Sequence, residues 1–142
     1  MNDTEIRSVL RNAKTIAVVG ASPKPWRDSN SIMQFLQSAG YTVFPVNPKY
    51  AEILGRQCFP SVRQIPEKID IVDIFRRSDA VLPIVEDAVA VHAKTVWMQL
   101  GVINEDAAQL ARDAGLSVII NKCIAVEYRS LVRSKAGTSS SD

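Results

Sequence analysis

Thr15-Ile16-Ala17-Val18-Val19-Gly20-Ala21-Ser22, followed by Pro23-Lys24-Pro25-Trp26-Arg27-Asp28-Ser29-Asn30-Ser31, decides the fold. A short apolar run reaches a glycine, a polar loop follows, and the pattern turns helical. Strand, glycine turn and helix N-terminus in that order form an anion site, because free backbone N–H groups and the helix dipole converge there. Lys24 and Arg27 add two cations to the loop. Only Gly20 of a G-x-G-x-x-G fingerprint is present. The stretch therefore points to a phosphate-bearing ligand more firmly than to a dinucleotide.

The flanking sequence repeats the alternation. Asp3 or Thr4 caps a first helix with Ile6, Val9 and Leu10 on one face. After the strand Thr15–Gly20, Ser29 or Asn30 caps a helix carrying Ile32, Phe35, Leu36 and Ala39, which Gly40 stops. Tyr41–Val46 reads as a second strand, and Pro45 marks its end or a sheet edge. Asn47-Pro48-Lys49 is a turn, and a breaker-rich loop follows, packed down by Ile53-Leu54 and Cys58-Phe59. Ile69–Phe75 is the third strand. Pro83 suits the first turn of a helix running to about His92, whose stripe is Val85, Ala88, Val89 and His92. Thr95–Met98 is the fourth strand, Asn104 caps the helix Glu105–Ala114, and Ser117–Asn121 is the fifth strand. A last helix spans about Val126–Arg133. The expectation is an α/β, Rossmann-like, doubly wound parallel sheet of about five strands with helices on both faces. Residues 1–135 form one domain, and 136–142 have the composition of a disordered tail.

A chain of 142 residues with 46% hydrophobic and 23% charged side chains is ordinary for one globular domain. A net charge of +2 without a dense basic run argues against nucleic acid as partner, and Arg129, Arg133 and Lys135 read as a solvated helix end. Two distant cysteines, Cys58 and Cys123, with the single histidine His92, make neither a disulfide framework nor a zinc site. There is no apolar signal core at Met1–Glu5 and no run of membrane-spanning length. The expectation is a cytoplasmic protein with reduced thiols and no membrane partner.

Right-handed crossovers gather the strand-to-helix loops on one sheet edge, where such folds bind ligands. Gly20, Ala21 and Ser22 read as a phosphate cradle or as a tight turn of small residues. Arg27 grips phosphate bidentately or is solvated. The turn after strand two discriminates ligands: an NAD site places Asp or Glu there, and this chain has Asn47-Pro48-Lys49. Lys49 suits an extra ribose phosphate, which NADP carries at the 2′ and coenzyme A at the 3′ position, or is an exposed turn residue. Phe75 and Arg76 are a flat contact and a cation for the ligand, or the last core residue and surface charge. Trp97 and Met98 read as core, and Gly101 allows close approach of a ligand or ends its strand. His92 reads as structural and stands at the edge away from the ligand. Cys123 has no partner base, Asp73 is a faint catalytic candidate, and no catalytic constellation assembles.

In order, Val18-Val19-Gly20-Ala21-Ser22, Arg27-Asp28-Ser29, Tyr41–Pro48, Gly55 with Phe59-Pro60-Ser61, Asp70–Arg76, Trp97–Gly101, and Asn121–Ile124 leading to Glu127-Tyr128 resemble one family. The chain resembles the small single-domain CoA-binding proteins, which are similar to the N-terminal CoA-binding domain of the succinyl-CoA synthetase alpha subunit. The resemblance spans about Thr15–Leu131. It implies ligand contacts from Gly20, Ala21, Ser22, Arg27, Ser29, Asn47, Pro48, Lys49, Phe75 and Arg76, and also from Gln99 and Gly101. It does not reach the domain that carries the synthetase's phosphorylated histidine, so the ligase reaction is not implied. Many such proteins are stand-alone binders without an assigned activity, and several are thought to pair as homodimers. The expected function is binding of coenzyme A or an acyl-CoA without a catalytic centre. The competing readings are an NADP-dependent oxidoreductase and a CoA-sensing interaction module.

Overall fold

The computed structural model describes residues 1–133, so Lys135 and the expected tail at 136–142 lie outside the described residues. Five parallel strands form one sheet: β1 (Thr15–Val19), β2 (Thr42–Val46), β5 (Ile71–Ile74), β6 (Thr95–Met98) and β7 (Ser117–Ile119). Their order is β2-β1-β5-β6-β7. The reversal falls between β1 and β5, which run in register from Ile16 beside Ile71 to Val19 beside Ile74. The strands are near-continuous apolar runs because both faces are covered.

One face packs under α3 (Val81–Ala90) and α4 (Glu105–Asp113), through Ala17, Val19, Val72, Ile74, Val96, Met98, Val85, Ala88, Ala107 and Ala111. The other face packs under α1 (Asp3–Asn12), α2 (Asp28–Ser38), α5 (Ile124–Tyr128) and a π-helical turn, Arg129–Arg133, through Ile6, Leu10, Ile16, Val18, Met33, Leu36, Ile71, Trp97 and Ile124. Trp97 and Met98 are fully buried core residues on opposite faces.

Several boundaries differ from the sequence expectation, each for a local reason. The cap of α1 is Asn2, not Asp3 or Thr4. Asn2 Oδ1 accepts from the Glu5 amide at 2.8 Å and Glu5 Oε1 accepts from the Asn2 amide at 3.0 Å, a reciprocal pair that needs a Glu three residues after the cap. The helix α2 starts at Asp28, so Ser29 and Asn30 lie inside its first turn and Arg27 is a cap without a side-chain bond. The last helix begins at Ile124, two residues before the expected start.

Pro45 stands in the edge strand β2, and outside it, among the described residues, only a bridge between Val46 and Phe59 pairs. The breaker-rich loop contains a two-residue hairpin, β3 (Glu52–Ile53) and β4 (Arg56–Gln57), turned by Leu54 and Gly55 at φ 51° and 75°. Ile53, Cys58 and Phe59 are buried as expected, but Leu54 at the turn is exposed. Among the described residues, no helix is long and apolar enough to cross a membrane.

His92 is the clearest correction. It is exposed and left-handed at φ 58°, immediately past α3. Its amide donates to Val89 O at 3.1 Å, and the Ala93 amide donates to Ala88 O at 3.0 Å. That is the helix-ending bond pattern made also at Gly40 and Gly115, with a histidine in the glycine position. Helical periodicity put it on the buried stripe; the helix ends two residues too early for that.

Candidate functional site

The loops at the carboxyl ends of β1, β2, β5 and β6 meet at one edge of the sheet. Gly20 sets how closely they meet. It has φ 88°, and a Cβ there would lie 2.6 Å from Phe75 O and 3.0 Å from Arg76 Cδ. Only glycine allows the β1 and β5 loops this approach.

The amides of Gly20 and Ala21 both donate to Val46 O, at 3.0 and 3.4 Å. They are therefore spent, and the expected cradle moves one residue on. Asn47 Nδ2 donates to Ala21 O at 2.9 Å, and Asn30 Nδ2 donates to Ser22 O at 2.9 Å. In a trans peptide the N–H points opposite to the C=O. Pinning the Ala21 carbonyl to Asn47 thus turns the Ser22 amide away from the protein. Among the described residues the Ser22, Asp28 and Ser29 amides find no acceptor. The last two are the open first turn of an eleven-residue helix whose cap, Arg27, offers no side-chain acceptor. The Ser22 hydroxyl accepts from the Lys24 amide at 3.1 Å, which folds the loop back toward the helix start.

The side chains around these amides are cationic. Lys24, Arg27, Lys49 and Arg76 are all exposed, and none makes an ion pair among the described residues. Arg77, in contrast, pairs with Asp79 at 3.3 Å. Asp28 is the one carboxylate in the α2 first turn. Lys49 is held by its own amide, which donates to Asn47 Oδ1 at 2.9 Å. The Asn47 carboxamide is therefore fully engaged in holding the turn, with exposed Pro48 between.

Phe75 is half-buried against the α2 face, and its amide donates to Val19 O at 2.8 Å. Ser29 is only 5% exposed, so its backbone is the accessible part. Gln99 is buried, and its Oε1 accepts from the Ile124 amide at 3.0 Å, which commits the side chain to the start of α5. Gly101, at φ 87°, donates its amide to Asn121 Oδ1 at 2.7 Å. The structure thus brings the expected residues to one edge, but Asn47, Gln99 and Gly101 act there as braces. The bracing role of Asn30 was not legible in the sequence, because it depends on the fold of the loop that returns the Ser22 carbonyl to the start of α2.

Asp73 lies below this edge, beside Val18 on β1 and Trp97 on β6. It is fully buried, and neither carboxyl oxygen has a hydrogen-bond partner. Burial pushes its carboxyl well above the usual carboxylate range. Cys123 is half-buried at the cap of α5, and Cys58 is buried, with burial pushing its thiol up. Both are free thiols. Among the described residues no cluster of His, Cys, Asp or Glu is suited to a metal.

The edge carries a shelf of exposed side chains, Lys24, Trp26, Arg27, Lys49 and Arg76. Cavities of about 540 Å³, against Val126, Arg129, Ser130 and Arg133, and about 240 Å³, between α1 and the amino ends of the strands, lie elsewhere. Charge and free amides single the shelf out.

Comparison with known proteins identifies the family of the chain. The model of the CoA binding domain matches residues 14–129. The chain is 40% identical over 124 residues to the uncharacterized protein YneT of Bacillus subtilis, covering 87% of this chain and 92% of that one. It is 34% identical over 121 residues to acetate–CoA ligase [ADP-forming] I of Archaeoglobus fulgidus, covering 78% of this chain but 18% of the ligase. A solved structure of a hypothetical protein from Pyrococcus horikoshii superposes with a TM-score of 0.91 at 46% identity, covering 93% of each chain.

Proposed function

The chain belongs to the CoA-binding domain family, and from that premise we propose that it binds coenzyme A or an acyl-CoA at the carboxyl edge and catalyses no reaction of its own. The observation that carries the reading is the combination of unpaired cations with unspent amides there. Lys24, Arg27, Lys49 and Arg76 have no carboxylate partner, and the Ser22, Asp28 and Ser29 amides have no acceptor, among the described residues. A diphosphate answers both needs at once.

The Ser22 amide and the first turn of α2 would hold the diphosphate, with Arg27 neutralising its charge. Lys49 would meet the ribose 3′-phosphate beyond β2. Phe75 and Arg76 would line the start of the pantetheine arm, and the braced Gln99–Gly101 turn would lie further along it. His92 sits past α3 at the opposite edge, and Asp73 is sealed in the core, so neither reaches this ligand. The same reading places the chain among cytoplasmic proteins with reduced thiols.

NADP shares the diphosphate and a ribose phosphate, so the two ligands must be separated by experiment. In thermal melts, CoA at a hundred times its Kd stabilises the fold by about 2.7 kcal/mol, and NADP at equal concentration leaves the melt unchanged. Protection by NADP and not by CoA overturns the proposal.

A further inference from the structure

The shelf changes chemical character along its length. Lys49 stands at the β2 end, Lys24 and Arg27 beside β1, and Arg76 after β5. In the loop after β6, Leu100 is 70% and Ile103 47% exposed, ahead of the exposed carboxylates Glu105 and Asp106 in the first turn of α4. Leu82, in the first turn of α3, is 39% exposed. Ser78 ties the loop after β6 to the start of α3: its Oγ accepts from the Ile103 amide and its carbonyl accepts from Asn104 Nδ2, both at 2.9 Å. Leu82 lies one helical turn beyond Ser78.

Large apolar side chains grouped in water usually mark a binding surface. Among the described residues seven large hydrophobics are exposed, and four of them (Trp26, Leu82, Leu100 and Ile103) follow the carboxyl ends of β1, β5 and β6. The Leu100 loop is also built in advance. The Gly101 amide is tied to Asn121 Oδ1 at 2.7 Å, and the Val102 amide donates to Gln99 O at 2.8 Å, which holds Leu100 outward without help from a ligand. Preorganisation of this kind lowers the entropy lost on binding.

We propose that this apolar end receives the acyl group of a CoA thioester, so that the protein selects an acyl-CoA over free CoA. The inference rests on the CoA reading above. In doubly wound sheets the ribose lies by the strand next to β1, here β2, so the remainder of the ligand runs the other way, across β5 toward β6. CoA is anionic at its nucleotide end and neutral along its arm, and an acyl chain on its sulfur adds the apolar end. The order cation, amide, cation, leucine along the shelf matches that sequence.

The test compares the affinities of CoA and hexanoyl-CoA by calorimetry, for the wild type and for the double variant Leu100→Ser/Ile103→Ser. Each fully buried methylene is worth about fourfold in affinity. On a half-open shelf, hexanoyl-CoA binds the wild type about tenfold tighter than CoA, and the variant brings the ratio to within about twofold. Both side chains are exposed, and a circular dichroism melt verifies that the variant folds. Equal affinities in the wild type, with CoA bound, overturn this inference and leave the CoA reading standing. A ratio that survives in the variant does the same. Failure of both ligands to bind overturns both. Light scattering supplies the last arm: if the double variant turns a dimer into a monomer and keeps the affinity ratio, the patch covers a second copy and the inference falls.

Discussion

The two edges of the central sheet have opposite polar economies. At the amino edge, Asp70 accepts from the Lys14 and Thr15 amides at 2.7 and 3.2 Å and faces Lys94 Nζ at 3.6 Å. The Thr15 hydroxyl donates to Lys68 O at 2.8 Å, and the Ser117 amide donates to Lys94 O at 3.0 Å. Charges and amides there answer one another. At the carboxyl edge, among the described residues, four cations have no carboxylate partner and three amides have no acceptor. One sheet carries both edges, so fold stability alone does not explain the difference. A self-satisfied edge is structure; an edge left unsatisfied and braced in that state is prepared for something else.

The largest expected effect breaks the carboxyl edge itself. Gly20→Ala adds a methyl 2.6 Å from Phe75 O at φ 88°, and chemical denaturation should show a loss of about 2–4 kcal/mol. At the amino edge, Asp70→Asn should cost about 1–2 kcal/mol at pH 7. Burial alone raises the Asp70 carboxyl, yet the Lys14 and Thr15 amides and Lys94 outweigh it and hold it below the usual value. Its contribution is therefore present above about pH 4 and is lost as pH falls through the lowered value, where variant and wild type converge.

Asp73 has the opposite sign. Its raised carboxyl favours the fold below about pH 4, where both states are protonated, and that advantage is lost as pH rises and the unfolded chain ionises. Asp73→Asn should be the more stable protein at pH 7, and urea titrations at several pH values should show a flatter profile than the wild type. A smaller effect sharpens the contrast between edges. Arg76→Ala should leave stability within about 0.5 kcal/mol, since the side chain is exposed and unpaired, while CoA affinity drops about tenfold in calorimetry. Smallest of all, the wild type should prefer CoA to dephospho-CoA by several-fold, and Lys49→Ala should erase the preference, as measured by competition.

The alternation of strands and helices was legible because each strand is an unbroken apolar run and most helices have a periodic face. Pro45 on an edge strand and Lys49 beyond β2 followed from single residues. Non-local features were not legible. The Gly20 and Ala21 amides look free in a linear motif but are taken by Val46, on a strand 26 residues away in the case of Gly20. His92 continues a helical stripe on paper, yet ends the helix in a left-handed turn. Asp73 reads as a strand carboxylate, and only the packed sheet reveals that it has no partner. Local propensity placed the elements, and contacts between distant loops decided which groups stayed unsatisfied.

The central claim is that the carboxyl edge binds the anionic end of CoA. A calorimetric titration of CoA into the purified protein at low salt tests it most directly. The account predicts saturable binding of one CoA per chain that weakens steadily as salt is raised. Absence of heat at millimolar CoA, or binding indifferent to salt, would contradict it.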